Sequence, residues 1–323
     1  MIFLGIDTSC YTTSIAAVDE EGKVLSDQRK LLSVPDGQRG LRQSEGFYQH
    51  VNALPSLYSK LLSEIEERPQ CLCVSATPRA CQGSYMPVFY AGVRMAEMVA
   101  QALDIKLYMS DHQRGHVMAA LSGCALKQDK FIAIHLSGGT TEVLSAEIIK
   151  NQPECTLISG TGDISAGQLL DRLGVKMGFS FPAGRFIDEL AISHEGRRIR
   201  IPAYADSEKC SFSGTETAAL RALNNGIDKT TVAEGVMYAV CEALSTLIYN
   251  ASLKTGVFDV LITGGVASSK YLRAHLQSIL GEKYSGIKVY FTQPRLSSDN
   301  AVGTALLARA RYMYLTKGEQ NVS

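Results

Sequence analysis

The sequence predicts an α/β protein in which two duplicated lobes face each other across a nucleotide cleft. The chain has 323 residues, 46% of them hydrophobic, which is enough for two domains that each bury a core. A strand–turn–strand segment at the N-terminus is repeated in the middle of the chain. A third strand ends in a glycine turn at residues 260–269 and runs into an amphipathic helix.

The first 103 residues are predicted to form four strands and two helices. The predicted elements are strands at 2–6, 14–19, 24–30 and 71–75 and helices at 46–67 and 84–103. Apolar residues at helical spacing support the first helix. Ser84 stands where the side chain of an N-cap residue would start the second helix.

The repeat has one constant offset, because Phe3 and Phe131 begin matching segments 128 positions apart. The Phe, an Ile, a Ser and two Thr are identical in both copies. Each turn is rich in hydroxyl groups or glycine, so its backbone N–H groups can form a cradle for a phosphate. The Gly264-Gly265 turn would let a nucleoside lie against the backbone of the second lobe.

The charge balance argues against a protein that binds nucleic acid unaided. The 32 Lys and Arg residues equal the 32 Asp and Glu residues, so the formal net charge is zero. Phosphate neutralisation requires a positive surplus on at least one face. The dense basic run at residues 197–200 is typical of a solvated loop, with an RNA contact as the alternative. A nucleic-acid substrate would therefore need a partner protein to supply much of the positive surface.

The sequence also predicts a cytoplasmic protein without a membrane segment. No basic region precedes the first apolar stretch, so we predict no signal peptide. The best apolar helix candidate, residues 87–105, is interrupted by Arg94 and Glu97. The eight cysteines include no CxxC pair and read as reduced thiols.

Two histidines have the spacing of metal ligands. His112 and His116 are four residues apart, which places both imidazoles on one face of a predicted helix. Asp299 is the candidate third ligand, and a plain helix cap is the alternative interpretation. Two imidazoles and a carboxylate leave open positions that suit Fe²⁺ or Zn²⁺. Gln113 stands where a HExxH metallopeptidase has its general base.

A series of short motifs, in order along nearly the whole chain, resembles the TsaD/Kae-type tRNA threonylcarbamoyladenosine transferases, formerly called glycoproteases. The matching segments are Gly5–Cys10 (GIETSC), His112–His116 (HxxxH), Leu136–Thr140 (VSGGH/N), Asp171 (FDK), Pro182–Gly184 (PGG), Ser211–Gly214 (FSFSG), Gly264–Ala267 (GGVA) and Ser298–Asn300 (TDN).

The resemblance implies the ASKHA fold of actin-like ATPases, sugar kinases and Hsp70. The expected lobes are residues 1–127, with a C-terminal helix at 300–323 packing back on them, and residues 128–299. His112, His116 and Asp299 would hold one Fe²⁺ or Zn²⁺ ion. The nucleotide and substrate residues, for ATP or an acyl-adenylate, would be Ser9, Leu136, Ser137, Gly138, Gly139, Thr140, Asp171, Gly184, Asp188, Gly264, Gly265 and Ser269.

Several positions depart from the family pattern, as in a divergent paralogue. The changes remove carboxylates from the expected cleft and reverse one charge beside it. Tyr11 and Thr12 replace an Asp-Glu pair, Ile164 and Gln168 replace acids, Glu216 replaces a lysine and Ser269 replaces an asparagine.

The leading hypothesis is a metal-dependent tRNA N6-adenosine threonylcarbamoyltransferase that transfers a carbamoyl-type group from a carbamoyl-adenylate. A catalytically altered nucleotide- and metal-binding paralogue, acting as a partner or regulator, is the alternative. A metallopeptidase is disfavoured by Gln113, and no covalent nucleophile is assigned, Cys10 included. The resemblance further implies a heterodimer with a smaller ASKHA paralogue through helices of the first lobe, with the predicted helix at 84–103 as a candidate surface.

Overall fold

Two β-sheets organise the chain, one in each half. The computed structural model describes residues 1–35, 38 and 40–320. The first sheet has the strand order β3-β2-β1-β4-β5. Its strands are β1 (Ile2–Asp7), β2 (Thr12–Asp19), β3 (Val24–Leu31), β4 (Pro69–Thr77) and β5 (Lys106–Asp111), and the helices of this half are α1 (Gln43–Glu64), α2 (Phe89–Ala102) and α3 (His112–Ser122).

The second sheet has the order β12-β11-β6-β7-β8-β10-β9. Its strands are β6 (Lys130–Leu136), β7 (Thr141–Ile149), β8 (Gln152–Thr161), β9 (Tyr204–Ala205), β10 (Lys209–Ser211), β11 (Asp259–Thr263) and β12 (Lys288–Phe291). The helices are α4 (Ala166–Lys176), α5 (Gly184–Ile192), α6 (Ser213–Asn224), α7 (Lys229–Thr255), α8 (Lys270–Lys283), the short α9 (Pro294–Ser297) and α10 (Val302–Gln320). The predicted boundary at 127/128 stays a prediction.

The sequence repeat is also a structural repeat. In the β1–β2 hairpin Phe3 lies opposite Val18, and in the β6–β7 hairpin Phe131 lies opposite Ala146. The two paired residues are equally far apart in sequence in both hairpins, so the strands of the two hairpins pair in the same register. Each first strand is buried, as expected for the central strands of a covered sheet.

Helix α10 packs back against the first sheet through backbone contacts at glycine. A Cβ atom on Gly5 of β1 would overlap the backbone of Ala301 and Ala305. A Cβ atom on Gly303 would overlap the carbonyl oxygen of Gly115 in α3. Because β1, α3 and α10 meet this closely, the segment that precedes α10 is held beside the first turns of α3.

The second predicted helix starts later than expected. Helix α2 begins at Phe89, and Ser84 instead accepts a hydrogen bond from the backbone N–H of Arg79 within the preceding loop. The prediction of Ser84 as its N-cap is wrong. Pro87 offers a reason, because a proline disfavours the helical conformation of the residue before it.

The predicted candidate for an apolar helix, residues 87–105, is not the helix that is long and apolar enough to span a membrane. Among the residues described, α7 alone is long and apolar enough to cross a membrane, and 78% of its most apolar stretch is buried inside the protein. It contributes Val236, Val240, Leu244 and Leu247 to the core of the second lobe. A helix covered on most sides needs no broad polar face, and its interior carries only two charged side chains, Glu234 and Glu242.

We expect Gly303→Ala to lower the free energy of unfolding by about 1–3 kcal/mol, because the added methyl group must displace the backbone of α3. The matched control is Gly281→Ala near the end of α8, where an added Cβ meets no described atom within 4 Å. That change should be neutral or stabilising by up to about 1 kcal/mol. Urea denaturation measures both, and equal stability of the two variants would contradict the backbone contact.

Candidate metal centre and nucleotide cleft

The two predicted histidines lie at the start of α3, directly after β5. The Asp111 carboxylate begins this helix by accepting the backbone N–H of Arg114 at 2.9 Å. One turn apart, His112 and His116 project from the same face with their ring centroids 4.4 Å apart. Both side chains are buried. The i, i+4 spacing therefore produces the paired imidazoles that the sequence predicts.

Asp299 joins these histidines from the segment between α9 and α10. Its Oδ1 atom lies 3.6 Å from Nε2 of His112 and 3.2 Å from Nε2 of His116. The cap of α10 is the neighbouring Asn300, whose Oδ1 accepts the backbone N–H of Val302 at 3.0 Å. The Asp299 carboxylate is thus directed at the histidines, and the helix-cap interpretation does not describe it.

A third imidazole, which the sequence analysis missed, completes the cluster. His135 lies in β6 with its ring centroid 4.6 Å from that of His116. Ligand atoms of His112, His116 and His135 all lie within 4.8 Å of one another. Neither ring nitrogen of His135 has a hydrogen-bond partner in the described part of the chain, although the residue is only 3% exposed. Burial lowers the pKa of His135 well below its ordinary value, so the ring is neutral.

These four side chains fit a divalent transition-metal ion. Ligand atoms about 2.0–2.1 Å from a tetrahedral ion are about 3.3 Å from one another. The two distances from Asp299 to the histidines, 3.2 and 3.6 Å, bracket this value. Neutral imidazoles and a carboxylate are donors that Zn²⁺ and Fe²⁺ both accept. The unpartnered nitrogens of His135 also indicate a binding partner, since buried polar atoms are otherwise hydrogen-bonded.

Asp7 contacts the Nδ1 atom of His112 and orients its ring. Its Oδ2 lies 2.9 Å from Nδ1 of His112, and its Oδ1 accepts hydrogen bonds from the backbone N–H and the hydroxyl of Ser9. Burial lowers the pKa of His112, but the Asp7 carboxylate outweighs it, and the pKa is about 9. Without an ion the ring is therefore protonated on both nitrogens at neutral pH; a metal ion would displace the proton on Nε2, while the proton on Nδ1 stays directed at Asp7.

The structural repeat explains where Asp7 and His135 lie. Asp7 pairs with Ser14 in the first hairpin, and His135 pairs with Glu142 at the equivalent place in the second. One residue therefore contacts His112 and its counterpart lies against His116. The cluster forms where the two hairpins approach α3 from opposite lobes.

Asp299 links the cluster to a cleft between the lobes. A cavity of about 460 Å³ is lined by Cys10 and Thr12 of the first hairpin, by Ser137 of the second, and by Asp171 and Asp299. A second part of the cleft, about 470 Å³, lies within the second lobe. The two parts share lining residues and form one groove; the shared residues are Gly138, Asp171, Pro182 and Gly265.

The predicted phosphate loop lines this groove in part. Ser137, Gly138 and Gly139 face the cavity, and the carbonyl group of Thr140 closes the turn by accepting the N–H of Ser137 at 2.9 Å. Leu136 is buried at the end of β6.

Three other predicted residues shape the groove or its metal end. Gly264, with φ +97°, lies so close to Leu136 that a Cβ atom would overlap the Leu136 carbonyl group. Gly265, the next residue, lines both parts of the groove. Ser9 is directed at Asp7.

Asp171, Gly184, Asp188 and Ser269, four of the residues predicted to bind the nucleotide or substrate, lie at the far end of the groove. Oδ1 of Asp171 accepts the backbone N–H groups of Ala183 and Gly184, at 2.7 and 3.2 Å. Burial raises the pKa of Asp171 despite these bonds. Asp188 accepts the hydroxyl group of Ser269 at 2.5 Å. All four predicted residues line the groove.

The comparison with known families decides the identity of the fold and its chemistry. The family model of the TsaD proteins, tRNA N6-adenosine threonylcarbamoyltransferases, matches residues 44–306. The chain belongs to this family. Its members are transferases of the acyl-transferring type.

Similar proteins agree over the full length. The chain is 29% identical over 315 residues to a tRNA N6-adenosine threonylcarbamoyltransferase of Thermus thermophilus, covering 97% of this chain and 93% of the relative. It is 27% identical to the enzyme of the same name from Methanopyrus kandleri, over 93% of this chain and 84% of the relative.

Solved structures show the ASKHA fold. HypF from T. kodakarensis superposes with a TM-score of 0.67 at 12% identity, over 97% of this chain and 48% of that one. A ROK family glucokinase from Streptomyces griseus gives 0.56 at 14% identity, over 96% and 99%.

Two departures from the TsaD pattern have structural roles here. Gln168 and Ser165 form a reciprocal capping box at the start of α4, so the side chain that replaces a family glutamate still closes the helix end. Glu216 in α6, which replaces a family lysine, lies with Oε2 3.2 Å from Nη1 of Arg172. The negative charge of Glu216 is therefore paired with Arg172, whose side chain lines the groove.

Tyr11, another departure, contacts the opposite lobe. Its ring packs edge-on against Phe181 with centroids 5.0 Å apart, and both residues line the groove. The neighbouring Thr12 lines it too, whereas Ile164 packs against the core of the second lobe. Burial, with Asp299 and Asp7 nearby, raises the pKa of the Cys10 thiol, which keeps it protonated and unreactive.

We expect Asp7→Asn to weaken zinc binding by about 10–100-fold, because His112 loses the carboxylate that orients its ring. Competition with a chromophoric chelator at pH 7 measures this affinity. Asp104→Asn, an exposed position outside the cluster, should change nothing. If Asp7→Asn bound zinc as tightly as the parent while His112→Ala did not bind it, Asp7 would have no orienting role.

Proposed function

We propose that this protein is a metal-dependent tRNA N6-adenosine threonylcarbamoyltransferase that takes its acyl group from a carbamoyl-type adenylate. The convergence of His112, His116, His135 and Asp299 at one end of the groove carries this proposal. The groove continues from this cluster to Gly184 and Asp188 in the second lobe. An adenylate has the same order of parts, with an acyl group, a phosphate and a nucleoside.

Different residues of this chain would then bind different parts of the substrate. Backbone N–H groups of Gly138 and Gly139 would bind the phosphate. Gly265 has no Cβ and would let the nucleoside lie against the backbone of the second lobe. The Tyr11–Phe181 pair would cover the groove and exclude water from the reactive acyl group.

The metal ligands would act at the acyl end. A bound Zn²⁺ or Fe²⁺ ion would polarise the carbonyl group and hold it for attack by an amine. The N6 amine of the tRNA adenosine would bond to the carbonyl carbon while the bond to the phosphate oxygen breaks, so that AMP leaves with that oxygen and the amine proton passes to water. Asp7 would keep His112 in the orientation that this site requires.

Partner proteins are part of the proposal. The formal net charge of zero supports a chain that relies on others to hold tRNA in the cytoplasm. Helices α1 and α2 expose Tyr48 and Met98, each 68% accessible, together with Val51 and Tyr90. These exposed apolar side chains support pairing with a smaller ASKHA paralogue.

The other two hypotheses gain no support. The altered cleft residues have structural partners, so their change does not by itself imply lost chemistry. Gln113 donates a hydrogen bond to Glu142 at 2.7 Å and is not placed as a peptidase base.

Reconstitution tests the transferase directly. The purified chain, its organism's adenylate-forming enzyme and partner proteins, ATP, bicarbonate, labelled threonine and unmodified tRNA should yield labelled tRNA. His112→Ala and Asp299→Ala should each lose metal and at least 100-fold in rate, because each removes one of the four candidate ligands, so that the ion is held poorly and the carbonyl group is left unpolarised. Cys81→Ser, at an exposed thiol, is the matched control.

Removal of the metal provides the second arm. Chelator-treated protein should be inactive and should recover with Zn²⁺ or Fe²⁺. Full transfer by protein shown to be free of metal would overturn the metal-dependent mechanism.

A further inference from the structure

A further cavity, which adjoins the groove, carries charged groups that the proposed function does not use. It has a volume of about 610 Å³ and lies between the end of α5, the loop that follows it, α7 and the start of α8. Imidazole, carboxylate, guanidinium and ammonium groups all line it.

The most informative of these groups is the carboxylate of Glu234, on α7. This residue is 5% exposed. Its Oε1 atom accepts hydrogen bonds from both Nε of Arg198 at 2.6 Å and the hydroxyl group of Tyr271 at 2.5 Å. Its Oε2 atom has no partner within the ranges that the structure describes. A buried carboxylate oxygen without a donor is costly, so Oε2 of Glu234 is available to accept a hydrogen bond from a bound group.

Arg198 supplies a complementary group beside it. The guanidinium carbon lies 3.5 Å from the centroid of the Tyr238 ring, which fixes the plane of the group. Its Nε–H is used by Glu234, and no described residue takes a hydrogen bond from Nη1 or Nη2. The side chain is 38% exposed. A guanidinium edge of this kind binds a carboxylate with good geometry.

An unpartnered carboxylate oxygen next to a free guanidinium edge matches an α-amino acid, which has its ammonium and carboxylate groups on one carbon. We propose that this cavity binds a free α-amino acid. The ammonium group donates to Oε2 of Glu234, and the carboxylate accepts from the Nη groups of Arg198. Lys270 at the rim adds positive charge for the carboxylate, and Ala191 and Ala274 leave space for the side chain.

The cavity adjoins the groove, so a test must separate the two. Ile192 and Lys270 line both spaces. An amino acid could also chelate a metal ion held by the histidine cluster. The experiment therefore uses the full-length His112→Ala protein, treated with chelator, in which the cluster cannot contribute.

The test is calorimetric titration with each of the twenty amino acids in turn. At least one should bind with a stoichiometry of one, and its N-acetyl and amide derivatives should bind at least tenfold more weakly. Glu234→Gln should weaken binding at least tenfold, since the amide loses the charge that pairs with an ammonium group. Glu242→Gln is the matched control, because it lies on the same helix and also pairs with a cation, Lys283 at 3.1 Å.

A second substitution keeps the proposal testable if the Glu234→Gln protein does not fold. Arg198→Lys keeps the charge but removes the forked edge, and should weaken binding of the amino acid more than of its amide. Thermal unfolding confirms that each variant folds. Absence of binding by all twenty, or binding that neither Glu234→Gln nor Arg198→Lys weakens, would overturn the proposal.

Discussion

The close approach of three backbones at glycine is the constraint on which the metal cluster depends. Gly5 in β1 and Gly303 in α10 leave no room for a Cβ atom, so α10 lies directly on β1 and α3. This contact brings Asp299 to His116, a residue 183 positions earlier in the chain. Without it, the carboxylate and the imidazoles would belong to separate elements, and no shared ligand set would form.

The duplication supplies the rest of the cluster. Each hairpin presents one side chain from the equivalent position of its first strand, a carboxylate in the first lobe and an imidazole in the second. Asp7 contacts Nδ1 of His112. His135 lies beside His116, and neither ring nitrogen of His135 has a hydrogen-bond partner among the described residues. One ancestral position has therefore diverged into a supporting group on one side and a candidate ligand on the other.

The departures from the TsaD pattern lie around the groove and leave the histidines and Asp299 in place. Gln168 retains a helix cap, and Glu216 retains a charge pair with Arg172. Tyr11 substitutes an aromatic contact between the lobes for an acidic side chain. These changes alter the charge and shape of the groove, whereas His112, His116 and Asp299 keep the residues of the family motifs. Divergence at the substrate side of a shared fold is how one family accommodates different acyl groups or acceptors.

Local patterns in the sequence were enough to predict the paired strands of both hairpins, the repeat, the histidine pair and the general architecture. Such features depend on spacings of two or four residues, which covalent geometry converts directly into a shared face. His135 could not be found this way, because a single histidine at a strand end has no neighbour in sequence that reveals its partners. The hydrogen bond between Asp188 and Ser269, the caps of α2 and α10, and the burial of α7 likewise follow from packing between distant segments. Local chemistry specified which groups are present, and long-range packing specified which of them meet.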